Sequence, residues 1–162
     1  MENWSIRKIE KKDNAAVAKI IRTVFDELNI SKVGTAYADP YLDLMFEAYN
    51  KSKSAYFVVE NNGIILGGAG IAPLENEAET ICELQKMYFL PEVRGFGIGS
   101  QIMDKCLQAA NDFGYEKCYL ETMPFMNDAQ KLYKKVGFEF ICSPMGSTGH
   151  VSCLVWMLKE LS

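Results

Sequence analysis

Apolar and polar positions change period several times along the chain. Trp4 to Glu10, "WSIRKIE", alternates and predicts a strand. From Asp13 the period lengthens. Val17, Ile20, Ile21, Val24 and Leu28 recur at helical spacing, which predicts a helix to about Asn29 with Asp13 as its cap. "SKVGTAYADP" reads as a loop. A second helix is expected after Asp39, with Pro40 at its first position and Leu42, Met45, Phe46 and Tyr49 facing inward. "AYFVVE", the turn "NNG" and "IILGGAGIAPL" predict a hairpin, and "ETICELQKMYFL" a longer strand. Helical spacing returns with Ile98, Ile102, Met103, Cys106, Leu107, Ala110 and Phe113, and Gly114 ends that helix. "KCYLET" is a buried strand, "NDAQKLYKKVGF" a short helix closed by Gly137, and "FEFICS" and "HVSCLVWMLKEL" are final strands. The order β-α-α-β-β-β-α-β-α-β-β predicts an α/β (α+β) fold, a mixed sheet with helices on its faces.

Composition narrows the class. The 162 residues suit a single domain over 1–162 and can bury a substantial core. No repeat or linker interrupts them. Hydrophobic residues make up 49% and charged residues 23%, near the average for soluble domains. The net charge of -4 argues against general nucleic-acid binding, which needs a basic face. The start, "MENWSIRKIEKKDN", is too polar for a signal peptide, and no apolar run is long enough to span a membrane. A cytoplasmic location is therefore expected. Cys82, Cys106, Cys118, Cys142 and Cys153 show no C-x-x-C spacing and read as reduced thiols, mostly buried, rather than as metal ligands or disulfides.

The chemistry concentrates in "PEVRGFGIGSQIM", Pro91 to Met103. A Walker loop needs Lys-Ser/Thr after its last glycine, and here Ser100 and Gln101 follow Gly99. A dinucleotide-binding turn needs G-x-G-x-x-G, and the spacing here is G-x-G-x-G, although Glu121 stands where that turn's acidic residue would fall. What remains is R-x-x-G-x-G, Arg94 to Gly99. Backbone N–H groups of a turn opening a helix make an anion site, glycines admit close approach, and Arg94 adds positive charge. A glycine-rich turn without a ligand is the plainer reading of the same residues.

This pattern resembles motif A of the GNAT superfamily of acetyltransferases, and "NDAQKLYKKVGF" resembles its motif B. The likeness is strong from Glu83 to Phe140. It implies the GNAT acyl-CoA N-acyltransferase fold, with a mostly antiparallel sheet, and acetyl-CoA as cosubstrate without a metal. By that resemblance Met87, Tyr88 and Phe89 would hold the pantetheine arm. Arg94, Gly95, Phe96, Gly97, Ile98, Gly99 and Ser100 would hold the pyrophosphate, with Asn127 and Ala129 contacting the coenzyme from the second helix. The family's asparagine falls seven residues before the motif B tyrosine, where this chain has Met126, so a shifted helix start is needed for Asn127 to serve.

The implied activity is N-acetylation of a primary amine by direct attack on the thioester. A coenzyme-binding sensor or subunit without catalysis is the alternative. Glu83 matches the family's general base. It shares strand parity with Met87 and Phe89 unless a bulge intervenes, and lies about 13 Å from Met87, so water would have to relay the proton. It also reads as a solvent-facing strand carboxylate. Tyr133 matches the residue near the coenzyme sulfur, and a phenol with pKa near 10 suits an acid. It also reads as a core tyrosine. The backbone N–H of Met87 is the expected oxyanion donor. His150 sits in a loop, as a base or as a structural residue. Tyr37, Asp39, Tyr41 and Asp43 either face a cationic acceptor or simply open the second helix, with Asp39 as cap and Asp43 on its dipole. The partners are acetyl-CoA and an amine, and a homodimer is expected at family level only.

Overall fold

The structure, a computed structural model, describes residues 3–161. One seven-stranded sheet runs through it in the order β1-β2-β3-β4-β5-β7-β6. The elements are β1 (Trp4–Lys8), α1 (Asn14–Glu27), α2 (Met45–Tyr49), β2 (Ala55–Asn61), β3 (Ile64–Pro73), β4 (Ile81–Phe89), α3 (Ile98–Asp112), β5 (Lys117–Thr122), α4 (Asn127–Lys135), β6 (Glu139–Ile141) and β7 (Val155–Glu160). This is the predicted order. All pairs are antiparallel except β4 with β5. The β2–β3 hairpin turns on Asn62 and Gly63, both at positive φ, as a two-residue hairpin turn requires. Among the described residues, no helix is long and apolar enough to cross a membrane.

The sheet separates two large cores, with a small third cluster of Leu74, Ile81 and Tyr119. On one face, Val17, Ile20, Ile21, Val24 and Phe25 of α1 pack with Met45 and Tyr49 of α2 and with Tyr56 and Tyr88 of the strands. On the other, Ile98, Ile102, Met103 and Cys106 of α3 and Tyr133 of α4 pack against Cys82, Leu84, Cys118 and Leu120, with Met87 and Phe89 beside them. Helical spacing thus marked the buried sides of α1 and α3, except that Leu28, expected on the buried side, lies just past the end of α1 and is exposed.

Three local readings differ from the structure. Asp13 precedes α1 but does not cap it with its side chain. Its carboxylate instead accepts the Glu10 backbone N–H at 2.8 Å and binds the Arg7 guanidinium at 2.8 and 3.1 Å. Pro40 does not open a helix. Residues 40–43 form turns, and α2 is a short helix starting at Met45. Asp39 and Asp43 are therefore not helix-end residues: Asp43 pairs with Arg22 at 2.7 and 2.8 Å, and Asp39 turns toward the sheet.

The third difference reshapes β4. Its register with β3 runs Gly70↔Gln85 and then Gly68↔Tyr88, so Lys86 and Met87 together face Ala69. This is a bulge, and Lys86 takes φ 49° to make it. The Tyr56 hydroxyl donates to the Lys86 carbonyl at 2.7 Å. Its ring lies so close to the neighbouring strand that a Cβ on Gly68 or Gly70 would come within 2.5 Å of it. The bulge reverses side-chain parity. Glu83 and Gln85 share a face with Tyr88, while Met87 and Phe89 point to the α3 side. The expected alignment of Glu83 with Met87 and Phe89 does not occur.

Candidate active site

β4 and β5 pair over three rungs only, Ile81↔Lys117, Cys82↔Cys118 and Glu83↔Tyr119. Beyond Glu83 the strands part. β5 keeps β7 on its other side, and β4 continues to Phe89 beside β3. The fork opens a groove of about 560 Å³. Its walls include Val24 of α1 and Leu28 just after it, Met87, Tyr88 and Phe89 of β4, Arg94, Gly95 and Gly97 to Ser100 of the loop and helix start, and Met126, Asn127, Ala129, Leu132 and Tyr133 at α4. Most of the residues expected to contact coenzyme meet here.

The glycine loop closes one end. Gly95 and Gly97 have φ of 87° and 76°, which a side chain would strain. Gly97 stands immediately before α3, and the first helical bond runs from the Gln101 N–H to the Gly97 carbonyl at 3.2 Å. The N–H groups of Ile98, Gly99 and Ser100 thus have no acceptor within the helix. With the positive end of a 15-residue helix behind them, they could hold an anion. Side chains of the loop do other work. Ile98 is buried in the core, and exposed Phe96 turns toward the Trp4 ring, 6.1 Å between centroids, rather than into the groove.

Arg94 lies at the groove, but its guanidinium is engaged. It donates to the Phe89 carbonyl at 2.7 and 3.1 Å and to Glu27 at 2.8 Å. It therefore braces the end of β4 against α1 as well as placing positive charge beside the loop.

Tyr133 projects from α4 into the fork. It is buried, with its ring 6.1 Å edge-on from Phe138, and its hydroxyl makes no hydrogen bond among the described residues. Burial pushes its pKa up to about 12, so the phenol is protonated at neutral pH. Met126 precedes α4 and Asn127 is its first residue. Both reach the groove, so the helix start brings Asn127 to the groove despite the one-residue offset.

A smaller cavity of about 50 Å³, enough for a few waters, continues through the fork. Met87, Met126 and Tyr133 line it on the groove side, and Lys86, Glu121 and Cys153 on the other. Behind it lies a polar cluster. Glu83 is 5% exposed, so it is no solvent-facing strand carboxylate. It accepts Gln85 Nε2 at 2.6 Å, and the Tyr49 hydroxyl binds Gln85 Oε1. Burial, with Glu121 nearby, pushes the Glu83 pKa up to about 7 against the pull of Gln85, His150 and Lys86. Asp39 bridges Lys86 at 2.7 Å and His150 Nε2 at 2.9 Å. Burial would raise the Asp39 pKa, but these two partners hold it below the ordinary carboxylate range. Burial also works against a charged His150, and Asp39 outweighs it, leaving the ring pKa raised. Burial first, then Glu121, push the Cys153 thiol up to about 12.

Sequence reasoning named Glu83, Tyr133 and His150 but not Lys86, Glu121 or Cys153 as parts of this cluster. The short spacing His150-x-x-Cys153 was a visible signal. The parting of β4 from β5 that brings Glu121 and Lys86 together was not.

The family model of GNAT acetyltransferases matches residues 21–138. The chain is 44% identical over 157 residues to the uncharacterized N-acetyltransferase YjgM of Escherichia coli, covering 96% of this chain and 94% of that one. The fold superposes on a GNAT-family acetyltransferase from Staphylococcus aureus with a TM-score of 0.85 at 20% identity, over 98% of this chain and 99% of that one. A phosphinothricin acetyltransferase from Sinorhizobium meliloti, crystallised with acetyl-CoA, gives 0.77 at 20% identity over 98% and 88%. The family model over residues 21–138 and the 44% identical relative show that the chain belongs to the GNAT family and is an N-acetyltransferase.

Proposed function

We propose that the chain transfers the acetyl group of acetyl-CoA to a primary amine by direct attack in a ternary complex. One observation carries this reading: the β4–β5 fork joins an anion site at one end to a buried carboxylate cluster at the other, with Tyr133 between them.

In this reading the coenzyme pyrophosphate lies on the N–H groups that open α3, and the pantetheine arm follows Met87 to Phe89 into the fork. The loop Gly95 to Gly99 supplies backbone, and Asn127 and Ala129 of α4 close the opposite wall. The amine enters from the Glu121 side. Its nitrogen bonds to the thioester carbon, and the Met87 N–H holds the oxyanion that forms. Collapse breaks the carbon–sulfur bond and expels the coenzyme thiolate. The amine's proton leaves through water to Glu83, whose pKa of about 7 suits a base at neutral pH.

Tyr133 faces the thiolate. At about 12 its pKa exceeds that of an ordinary thiol, near 8.5, so complete proton transfer is uphill. Its contribution is a hydrogen bond to the developing sulfur charge, and solvent supplies the net proton on release. None of the five cysteines is used as a nucleophile.

Calorimetry with acetyl-CoA, followed by a thiol-release assay over a panel of amines, tests the reading. One-to-one binding and amine-dependent release are expected. An absence of acetyl-CoA binding at millimolar concentration would overturn it.

A further inference from the structure

Glu121, His150 and Cys153 bring a carboxylate oxygen, a ring nitrogen and a thiol sulfur within 4.8 Å of one another. Glu121 comes from β5 near its end. His150 and Cys153 ride on one turn of the loop entering β7, closed by the Cys153 N–H donating to the His150 carbonyl at 3.1 Å.

Two of the three donors, Glu121 and His150, are already oriented by further groups. Glu121 Oε1 accepts the Thr148 hydroxyl at 2.6 Å, and Oε2 accepts the Tyr119 hydroxyl at 2.6 Å. The His150 backbone N–H donates back to the Thr148 hydroxyl at 3.1 Å. Asp39 holds His150 Nε2 at 2.9 Å, leaving Nδ1 as the other ring nitrogen. A carboxylate on one imidazole nitrogen is the usual brace for a histidine that ligates metal through the other.

We propose that Glu121, His150 and Cys153 form a three-ligand site for a thiophilic divalent cation of the zinc class. A thiolate with imidazole and carboxylate matches zinc chemistry and does not suit magnesium or calcium, which take oxygen shells. Bonds of roughly 2.0–2.3 Å would bring tetrahedral ligand atoms to about 3.3–3.7 Å apart, so the side chains close by about 1 Å or slightly more. The thiol proton leaves to solvent as the metal–sulfur bond forms. Three carboxylates, Asp39, Glu83 and Glu121, surround the site, against one lysine, Lys86. The fourth position falls to water. Glu121 and Cys153 also wall the small cavity through the fork, so a bound ion would stand beside it.

Cobalt titration of the metal-free full chain, kept reduced, tests the site by absorption rather than by activity. One equivalent should give a cobalt–thiolate charge-transfer band and the intense visible bands of a tetrahedral ion, and zinc should displace it. Cys153→Ser should abolish the thiolate band, whereas Cys142→Ser, at an exposed thiol, should leave it. Asp39→Asn should weaken zinc binding roughly 10–100-fold, as loss of a supporting partner does elsewhere. Wild-type protein with no thiolate band would overturn the proposal. So would a band that survives Cys153→Ser in a variant whose circular dichroism is native.

Discussion

Glu83 stands opposite Tyr119 on the last rung that joins β4 to β5. One residue past that rung the strands diverge, so the carboxylate sits at the base of the fork. The bulge at Lys86 and Met87 then turns the rest of β4 over, leaving Glu83 on the face away from α3. Tyr133 lines the narrow passage through the fork together with Glu121, and Glu83 lies behind it.

Glu83→Gln tests the base role. The wild-type kcat/KM should rise with pH through an apparent pKa near 7 and then level. The Gln variant should lose that limb and roughly 10²–10⁴ in rate. Stability moves the other way. The folded pKa is raised from 4.5 to about 7, so the unfolded chain ionises first and wild-type stability falls as pH climbs through that window. Denaturant titrations should show Glu83→Gln free of that decline. A variant with an unchanged pH profile would remove Glu83 from the mechanism.

Tyr133→Phe separates catalysis from packing. The hydroxyl has no hydrogen-bond partner among the described residues and the ring packs against Phe138, so stability should change by less than about 1 kcal/mol. Loss of one preorganised donor to a developing charge should lower kcat roughly 10²–10³-fold, with acetyl-CoA affinity nearly intact. Single-turnover kinetics beside a binding titration would measure both. A large fall in melting temperature would instead mark Tyr133 as a core residue.

Much of the fold was legible in local pattern. Helical spacing at Val17, Ile20, Ile21 and Val24 placed the buried side of α1, and Gly114 and Gly137 marked helix ends through positive φ. The glycine loop was legible because its spacing reflects backbone geometry that only glycine supplies easily. Tertiary choices were not. Pro40 and Asp39 made a plausible helix start, but Asp39 is drawn instead to Lys86 and His150, far along the chain. The parity of Glu83 failed because an extra residue in β4 leaves no mark in the alternation. The Tyr56 hydroxyl, reaching across β3, bonds the carbonyl of that bulge.

Arg94 carries two roles that a pair of variants can separate. Arg94→Ala should weaken acetyl-CoA binding by roughly 1.5–3 kcal/mol if its charge reaches the pyrophosphate. Glu27→Gln releases the guanidinium from its carboxylate while keeping the hydrogen bonds to Phe89 possible. It should leave acetyl-CoA affinity equal or tighter. Should Glu27→Gln weaken binding as much as Arg94→Ala, the brace between α1 and β4 matters more than the charge.

The loop glycines should respond differently. Gly97 is left-handed with open space around its missing Cβ, so Gly97→Ala meets backbone strain of about 1–2 kcal/mol and no clash. Acetyl-CoA binding should weaken about tenfold as the loop shifts to relieve that strain. Gly99 lies in the first turn of α3, where alanine is favoured over glycine by up to about 1 kcal/mol. Its Cβ would stand 3.0 Å from Leu132 Cδ2, a side-chain tip able to give way. Gly99→Ala should therefore keep wild-type stability within about 1 kcal/mol. Urea unfolding of both variants checks the contrast.

Acid stability should depend on Asp13, at the far edge of the sheet from the fork. Its carboxylate is buried, and although burial opposes ionisation, the Arg7 hydrogen bonds and the Glu10 N–H win and hold its pKa below the ordinary range. A carboxylate lowered in the folded state stabilises it above the unfolded pKa of 3.8, and that contribution disappears as pH falls through the folded value. Asp13→Asn keeps the shape but loses the charge. At neutral pH it should cost roughly 1.5–3 kcal/mol, the scale of hydrogen bonds to a charged group, because Arg7 retains Glu60 at 2.8 Å. Toward the lowest pH at which both proteins fold, the gap should narrow, since the wild-type carboxylate then gains a proton too. Denaturant midpoints across that range measure the difference, and a gap that widens toward acid would contradict the assignment.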